Sequence, residues 1–184
     1  CYRYWPELSS DCRLMTKLLR DLTDYSMSDQ LTKQRSDLCN LLRRAYLSCL
    51  PLTEGTNKTL TYTSRVSCAY MPLDSPKMME ALLNLIVNAL DAVSDNGSVQ
   101  IILTKSNEQF VVSIIDDGCG IAPKQLLTIF HPFTTTKPDG TGLGLPVAKR
   151  IIEGHGGHIR VISAPNQGAT FTFLLPCSFS SDKK

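Results

Sequence analysis

The segment NLIVNALD, residues 84–91, stacks Asn84, Asn88 and Asp91 one turn apart on a helix. Asparagine is unfavourable in mid-helix because its amide competes for backbone hydrogen bonds. One reading of the row is a solvated polar face. The other is a line of amide and carboxylate oxygens aimed into a cleft, suited to a hard cation such as Mg2+ that keeps part of its water shell. In IIDDGCGI, residues 114–121, an apolar run ends in two aspartates, followed by Gly118 and Gly120. A tight turn explains this pattern. So does a site where a carboxylate accepts from an exocyclic amine while missing Cβ atoms let a flat ring approach the backbone. In DGTGLGLPVAK, residues 139–149, Gly140, Gly142 and Gly144 alternate with Thr141 and Leu143, which leaves no room for a regular element. Lys137 lies just ahead, and the N–H groups of residues 140–145 lead into a helix N-terminus, so the stretch offers an anion site for phosphates. The glycines predict a lid over residues 131–142 that is mobile until a triphosphate orders it. There is no G-x-x-x-x-G-K-[ST] loop, and no strand precedes the glycines as a dinucleotide fingerprint requires.

The elements that must position these groups are legible from periodicity. LMTKLLRDLTDYS (14–26) and SDLCNLLRRAYLSCL (36–50) read as amphipathic helices, the second capped by Ser36 or Asp37. TLTYT and RVSCAY read as strands. A long helix then starts at Asp74 or Ser75, with Pro76 in its first turn, and ends at Asn96-Gly97. Its stripe of Leu83, Ile86, Val87 and Leu90 is expected to face a sheet. SVQIILT and QFVVSIID form two strands, PKQLLTIF a short helix, PVAKRIIEGHGG another, and HIRVIS with ATFTFLLP a closing hairpin over APNQG. The mixture predicts an antiparallel or mixed sheet covered by helices on one face. The tail is expected to be disordered.

Composition bounds the rest. A chain of 184 residues can bury roughly 70% of its unfolded surface as one domain. The net charge is +2, with Lys and Arg scattered among Asp and Glu, so no nucleic-acid partner is expected. No stretch reaches the ~18 apolar residues of a membrane span. Seven cysteines without a C-x-x-C pair read as reduced thiols of a cytosolic protein. The start on Cys1 rather than Met points to a fragment.

Taken in order, NLIVNALDA, DDGCGI, IFHPFTTTK and GTGLGL resemble the N, G1, F and G2 boxes of the ATP-binding fold shared by histidine kinases, DNA gyrase, the Hsp90 chaperones and MutL. The run IFHPFTTTKPDGTGLGLPVAKRIIEGHGGHI is specifically similar to sensor histidine kinase catalytic domains, particularly the nitrogen-regulation branch. The resemblance spans residues 37–176. It implies an α+β, two-layer sandwich of the Bergerat type, with a mixed, mostly antiparallel sheet, helices on one face and an added N-terminal helix. It divides the chain into 1–28, the end of a dimerisation and phosphoacceptor hairpin, 29–178, the catalytic and ATP-binding domain, and the tail 179–184. By position it implies that Asn88 coordinates Mg2+ on the phosphates and that Asp116 accepts from the adenine amine, with Gly118 and Gly120 lining the ring. Asp91 then holds a local polar network. Lys137 and the loop Gly140, Thr141, Gly142, Leu143, Gly144 and Leu145 take the phosphates. Phe130 and Phe133 anchor the lid or touch the partner helices. Asn84 stands where ATP-hydrolysing relatives carry a catalytic glutamate, and its neutral amide suits transfer to a protein. The implied partners are the chain's own phosphoacceptor hairpin, a second copy joined through it, and a response regulator. The implied setting is a cytoplasmic domain, in a protein that spans a membrane or not.

His131 departs from the glutamate usual at its position and reads as lid surface. His155 and His158 read as a structural corner, and Cys119 as a small filler. No histidine precedes residue 131, so no phosphoacceptor is present. An ATP-gated dimerisation module of the gyrase, MutL or Hsp90 kind is the alternative. Asn84 and the TTK before the glycines argue against it. A nucleotide-binding adaptor without transfer is a third reading, which the intact boxes disfavour.

Overall fold

The computed structural model describes residues 31–137 and 140–177, and the helix expected over 14–26 and the tail lie outside them. The elements are β1 (Gln34–Asp37), α1 (Leu38–Cys49), a 3-10 turn (Leu50–Thr53), β2 (Thr59–Ser64), β3 (Tyr70–Leu73) and α2 (Ser75–Ala92). They continue as β4 (Ser98–Ser106), β5 (Gln109–Asp116), α3 (Pro123–Leu126), α4 (Gly144–Gly154), β6 (His158–Ser163) and β7 (Ala169–Pro176). Five strands form a sheet in the order β2-β4-β5-β7-β6, with β2 parallel to β4 and the other neighbours antiparallel. β1 and β3 form a separate antiparallel pair. Among the described residues no helix is long and apolar enough to cross a membrane.

Strict alternation along β5 and β7 buries one face of the sheet. The register lines up Leu103–Val112–Phe173, then Ile101–Ile114–Phe171, then Val99–Asp116–Ala169. These rows join one core with the buried faces of α1, α2 and α4. Phe171 and Phe173 are its largest fully buried side chains, each contributing ~1.5–3 kcal/mol. The third row ends differently from the others. It carries a carboxylate in a core slot.

The helices start where the sequence indicates and stop where tertiary partners intervene. Asp37, not Ser36, caps α1: its Oδ1 accepts from Cys39 N–H at 3.0 Å and from Ala69 N–H at 2.9 Å. Asp74 caps α2, accepting from Lys77 N–H at 3.0 Å, and Pro76 sits in the first turn. α2 ends at Ala92, before the expected Asn96-Gly97, because Val93 is extended. Its last carbonyls are already taken, Leu90 O by Lys58 Nζ at 2.9 Å and Ala92 O by Cys119 N–H at 3.1 Å. Asn96-Gly97 instead closes a separate turn through Gly97 N–H to Ser94 O.

Other expectations need correction. The stripe facing the core is Met78, Ala81, Leu82, Leu85, Ile86, Ala89 and Leu90, whereas Leu83 is half-buried and Val87 exposed. Val87 lies three residues after Asn84 and four before Asp91, so it belongs to the polar row. RVSCAY is not a strand. Ser64 Oγ donates to Val66 O at 2.6 Å and turns the chain, and the strand begins at Tyr70. The helix of PKQLLTIF stops at Leu126 and continues as turns. α4 begins at Gly144, two residues before Pro146, so Gly144 and Leu145 belong to a helix rather than to an irregular loop.

His155 joins the end of α4 to the start of α2. Its Nδ1 lies 2.7 Å from Ile151 O, and its Nε2 accepts from Asp74 N–H at 2.9 Å. The ring is therefore the neutral Nδ1–H tautomer. Burial, and secondarily Lys33, hold its pKa below the ordinary 6.5 against the opposing Ile151 carbonyl and Asp74. The unfolded chain takes up a proton below about pH 6.5 that the folded ring resists, so this contribution is full above that pH and shrinks as pH falls. His155→Gln is expected to cost about 1–3 kcal/mol at pH 7.5, through the Asp74 N–H left unpaired. Urea unfolding should show the gap between wild type and variant narrowing from pH 7.5 to 5.5. A constant gap would mean the ring is not held neutral.

Candidate functional site

Asp116 is the last residue of β5, and alternation turns it inward beside Ile114. It is 5% exposed. Its Oδ1 accepts from Gly118 N–H at 3.0 Å and from Ala169 N–H at 3.1 Å, which leaves Oδ2 to accept from a ligand. Burial pushes its pKa up, and the two backbone N–H groups oppose that shift. Asp117 has a different task. Its Oδ1 accepts from Ser98 N–H at 2.8 Å and its Oδ2 from Ser98 Oγ at 2.7 Å, and these bonds hold its pKa down.

The turn after Asp116 is clamped from both sides. Cys119 N–H donates to Ala92 O of α2, Asn166 N–H to Cys119 O at 2.7 Å, and Gly168 N–H to Gly118 O at 3.0 Å. A Cβ on Gly118 would strike Ala92 O, and one on Gly120, at φ +68°, would strike Ala164 O. The missing side chains thus serve backbone-to-backbone packing. They bring the end of α2, the turn and the β6–β7 loop together around Asp116. Gly168 and Ala169 were missed as site residues, Gly168 having been read only as the end of a hairpin loop and Ala169 as the start of the strand after it. The available signal was a glycine immediately before a strand that starts opposite the aspartate.

The polar row on α2 meets the other half of the site. Asn84 and Asn88 are half-buried and Asp91 exposed, along about 10 Å of helix. Gly144, at the start of α4, packs on Asn84: a Cβ built there lies 3.5 Å from Asn84 Oδ1. No side chain caps α4, and its N-cap Leu143 is fully buried. The N–H groups of Gly144 and Leu145 therefore open the helix, and Pro146 has none to offer. Leu145 is half-buried. Thr141 Oγ1 accepts from Leu143 N–H at 3.4 Å.

Lys137 reaches across from the loop before the glycines. Its Nζ donates to Asp91 Oδ2 at 2.8 Å and to Asn88 Oδ1 at 3.2 Å. A cationic group thus sits where these two oxygens converge. The loop's ends are tied by Phe133 N–H to Gly142 O at 3.1 Å. Gly142 sits at φ +67°, where a Cβ would meet the Phe133 backbone 2.6 Å away. Structure therefore brings Asn84, Asn88, Asp91, Lys137 and Gly144 together, and places Asp116, Gly118 and Gly120 at the C-terminal end of the same helix. Gly140 N–H bonds back within the loop, to Lys137 O.

The two lid phenylalanines divide their roles. Phe130 packs edge-on against Phe171 and lies under Lys149, while Phe133 is 60% exposed at φ 63°. His131, His158 and Cys119 are exposed. The described cysteines are all free, and among the described residues no cluster of three His, Cys, Asp or Glu could hold a metal.

With this geometry in view, the chain matches the model of the histidine kinase-, DNA gyrase B- and HSP90-like ATPase family over residues 73–178. It belongs to that family. It is 36% identical over 165 residues to the signal transduction histidine-protein kinase AtoS of Escherichia coli, covering 88% of this chain and 27% of AtoS. It therefore spans well under half of that relative. The solved catalytic domain of histidine kinase ThkA matches with TM-score 0.73 and 29% identity, over 79% of this chain and 96% of that one. Full-length ShkA in complex with AMPPNP matches with TM-score 0.80 and 25% identity, over 88% of this chain and 35% of that one. The two-layer α+β fold is that of histidine kinase catalytic domains.

Gly168 generates a sharp expectation. It lies at φ +69°, and a Cβ there would collide with the Asp116 carbonyl. Gly168→Ala should cost about 1–3 kcal/mol, lowering the melting temperature, and should weaken any ligand held by Asp116. Thermal melts together with ADP calorimetry check this. A fully stable variant with undiminished ADP affinity would show that the clamp does not position the carboxylate.

Proposed function

We propose that residues 29–178 are the ATP-binding catalytic domain of a sensor histidine kinase and that residues 1–28 are the end of its phosphoacceptor hairpin. One observation carries this. A single helix, α2, presents its polar row to a glycine-rich helix start and ends against the turn that holds a buried, half-used carboxylate. That is a two-ended site, apolar and fixed at Asp116, polar and cationic at Lys137.

Asp116 Oδ2 accepts from the adenine amine. Gly118 and Gly120 keep the turn thin enough for a ring to lie against it. Asn88 holds Mg2+, which when bound neutralises phosphate charge. Lys137 and the N–H groups of Gly144 and Leu145 face the phosphates, whereas Gly140 N–H and Leu143 N–H donate to Lys137 O and Thr141 Oγ1 within the loop, and Asp91 keeps the local polar network. Catalysis is then positioning and charge stabilisation. An imidazole nitrogen of the hairpin bonds to the γ-phosphorus as the bond to the β–γ bridging oxygen breaks and ADP leaves. Asn84, a neutral amide, orients rather than abstracts. The acceptor histidine, a second copy joined through the hairpin, a response regulator and a cytoplasmic setting all follow from this reading.

Incubation with γ-labelled ATP and Mg2+ is expected to leave the chain unlabelled and to label a histidine-bearing hairpin of the same protein supplied separately. Acid-labile label on His131 would overturn the view that this chain holds no acceptor.

Asp116→Asn tests the adenine contact. Asparagine Oδ1 retains both backbone bonds, but Nδ2–H faces the amine donor. ADP affinity should fall roughly 10- to 150-fold. Because the carboxylate's pKa is raised in the fold, ionisation there costs stability as pH climbs above the unfolded value of 3.8. The neutral variant should therefore melt no lower than wild type at pH 7. Calorimetry showing unchanged ADP binding would remove Asp116 from the site.

A further inference from the structure

Lys137 is contacted by two groups of the polar row. Its Nζ lies 2.8 Å from Asp91 Oδ2 and 3.2 Å from Asn88 Oδ1. The loop that carries it is shaped for that reach. Phe133 N–H bonds Gly142 O across its base, Lys137 N–H donates to Thr135 Oγ1 at 3.1 Å, and Gly140 N–H donates to Lys137 O at 3.1 Å. The lysine backbone is thus held on both sides while its side chain crosses to α2. The Lys137 ammonium thus ties the loop to α2.

We propose that Asp91 is a positioning residue that parks the Lys137 ammonium on Asn88 when no nucleotide is bound, so that Lys137 and a divalent cation compete for the Asn88 oxygen. This rests on the reading of Asn88 as the metal-holding residue. An ammonium within hydrogen-bond distance of Asn88 Oδ1 and a metal ion on the same oxygen cannot coexist, because they share a site and repel. Phosphates resolve the conflict. They offer Lys137 stronger anionic partners, so the lysine leaves Asn88 as metal and nucleotide arrive together. Lys137 is then a guard of the cation site in one state and a phosphate ligand in the other, and the loop's release is tied to loading of the site.

The coupling is modest by its nature. The Lys137 and Asp91 side chains are 43% and 52% exposed, so the pair is worth about a 1.5- to 5-fold shift in loop opening, weakened further by salt. The test is therefore a double-mutant cycle in the nucleotide-free chain. Hydrogen exchange at the amides of Lys137, Gly140 and Gly142 is measured in wild type, Asp91→Asn, Lys137→Met and the double variant. Each single substitution should speed exchange by about 1.5- to 5-fold, with no further gain when they are combined. The charge-swapped pair Asp91→Lys with Lys137→Asp should restore protection, which a merely structural role would not predict. Paramagnetic resonance of free Mn2+ should show Lys137→Met binding the ion more tightly than wild type without nucleotide. Unchanged exchange in Asp91→Asn, additive effects in the double variant, or Mn2+ affinity in Lys137→Met no higher than in wild type each overturns the proposal. ADP calorimetry on wild type separates this from the parent reading. Absent ADP binding sinks the nucleotide site, whereas ADP binding with a failed cycle sinks only the guard.

Discussion

The buried carboxylate of Asp116 constrains everything around it. It occupies a core-facing slot at the end of an otherwise apolar row, where an unpaired charge is costly. It is tolerated because two backbone N–H groups converge on one of its oxygens. Those donors come from Gly118 and Ala169, which lie far apart in sequence. Each can approach only because a neighbouring position lacks a Cβ, at Gly118 against α2 and at Gly168 against β5. One electrostatic requirement therefore dictates three backbone contacts, and these contacts fix the end of α2 relative to the sheet. The polar row rides on that helix. Its placement is a consequence of the same constraint.

The site is accordingly stiff at one end and adjustable at the other. Around Asp116 the partners are backbone groups in the core, with full burial of Ile114, Phe171 and Phe173 nearby. Around Lys137 the partners are exposed side chains whose mutual attraction is small and screened. Local stability follows buried contact, so opening is expected to begin at the lysine loop and leave the aspartate end intact. For the nucleotide proposed above, this means a base held firmly and a movable cover at the phosphates.

The sequence carried the strands of the five-stranded sheet because alternation is local, while the candidate site residues came from the order of the motifs. The strands containing Ile101, Ile114 and Phe171 could be read directly, and the cap of α2 was narrowed to Asp74 or Ser75. What could not be read was set by partners distant in the chain. The early end of α2 depends on Lys58 and Cys119 claiming its last carbonyls. Val87 looked like core because it is apolar, but it sits in the polar row and is exposed to the cleft side. Gly144 looked like loop because of its composition, yet it opens α4 against Asn84, where a small residue permits close approach. Gly168 was invisible as a site residue, since only the fold brings residue 168 onto residue 116. In the same way, nothing in the spacing of Lys137 and Asp91 told that they touch.

Asn84 connects these physical features to the chemistry proposed for them. Water must lose a proton to attack a phosphorus, so hydrolysis calls for a base within hydrogen-bond reach. A primary amide cannot fill that role. An imidazole nitrogen attacks with a lone pair it already has, and needs orientation rather than deprotonation. On the reading proposed above, a neutral residue packed on the uncapped start of α4 favours transfer to a histidine over transfer to water. It does so without weakening the N–H groups that face the phosphates, which a carboxylate in the same place would attract to itself.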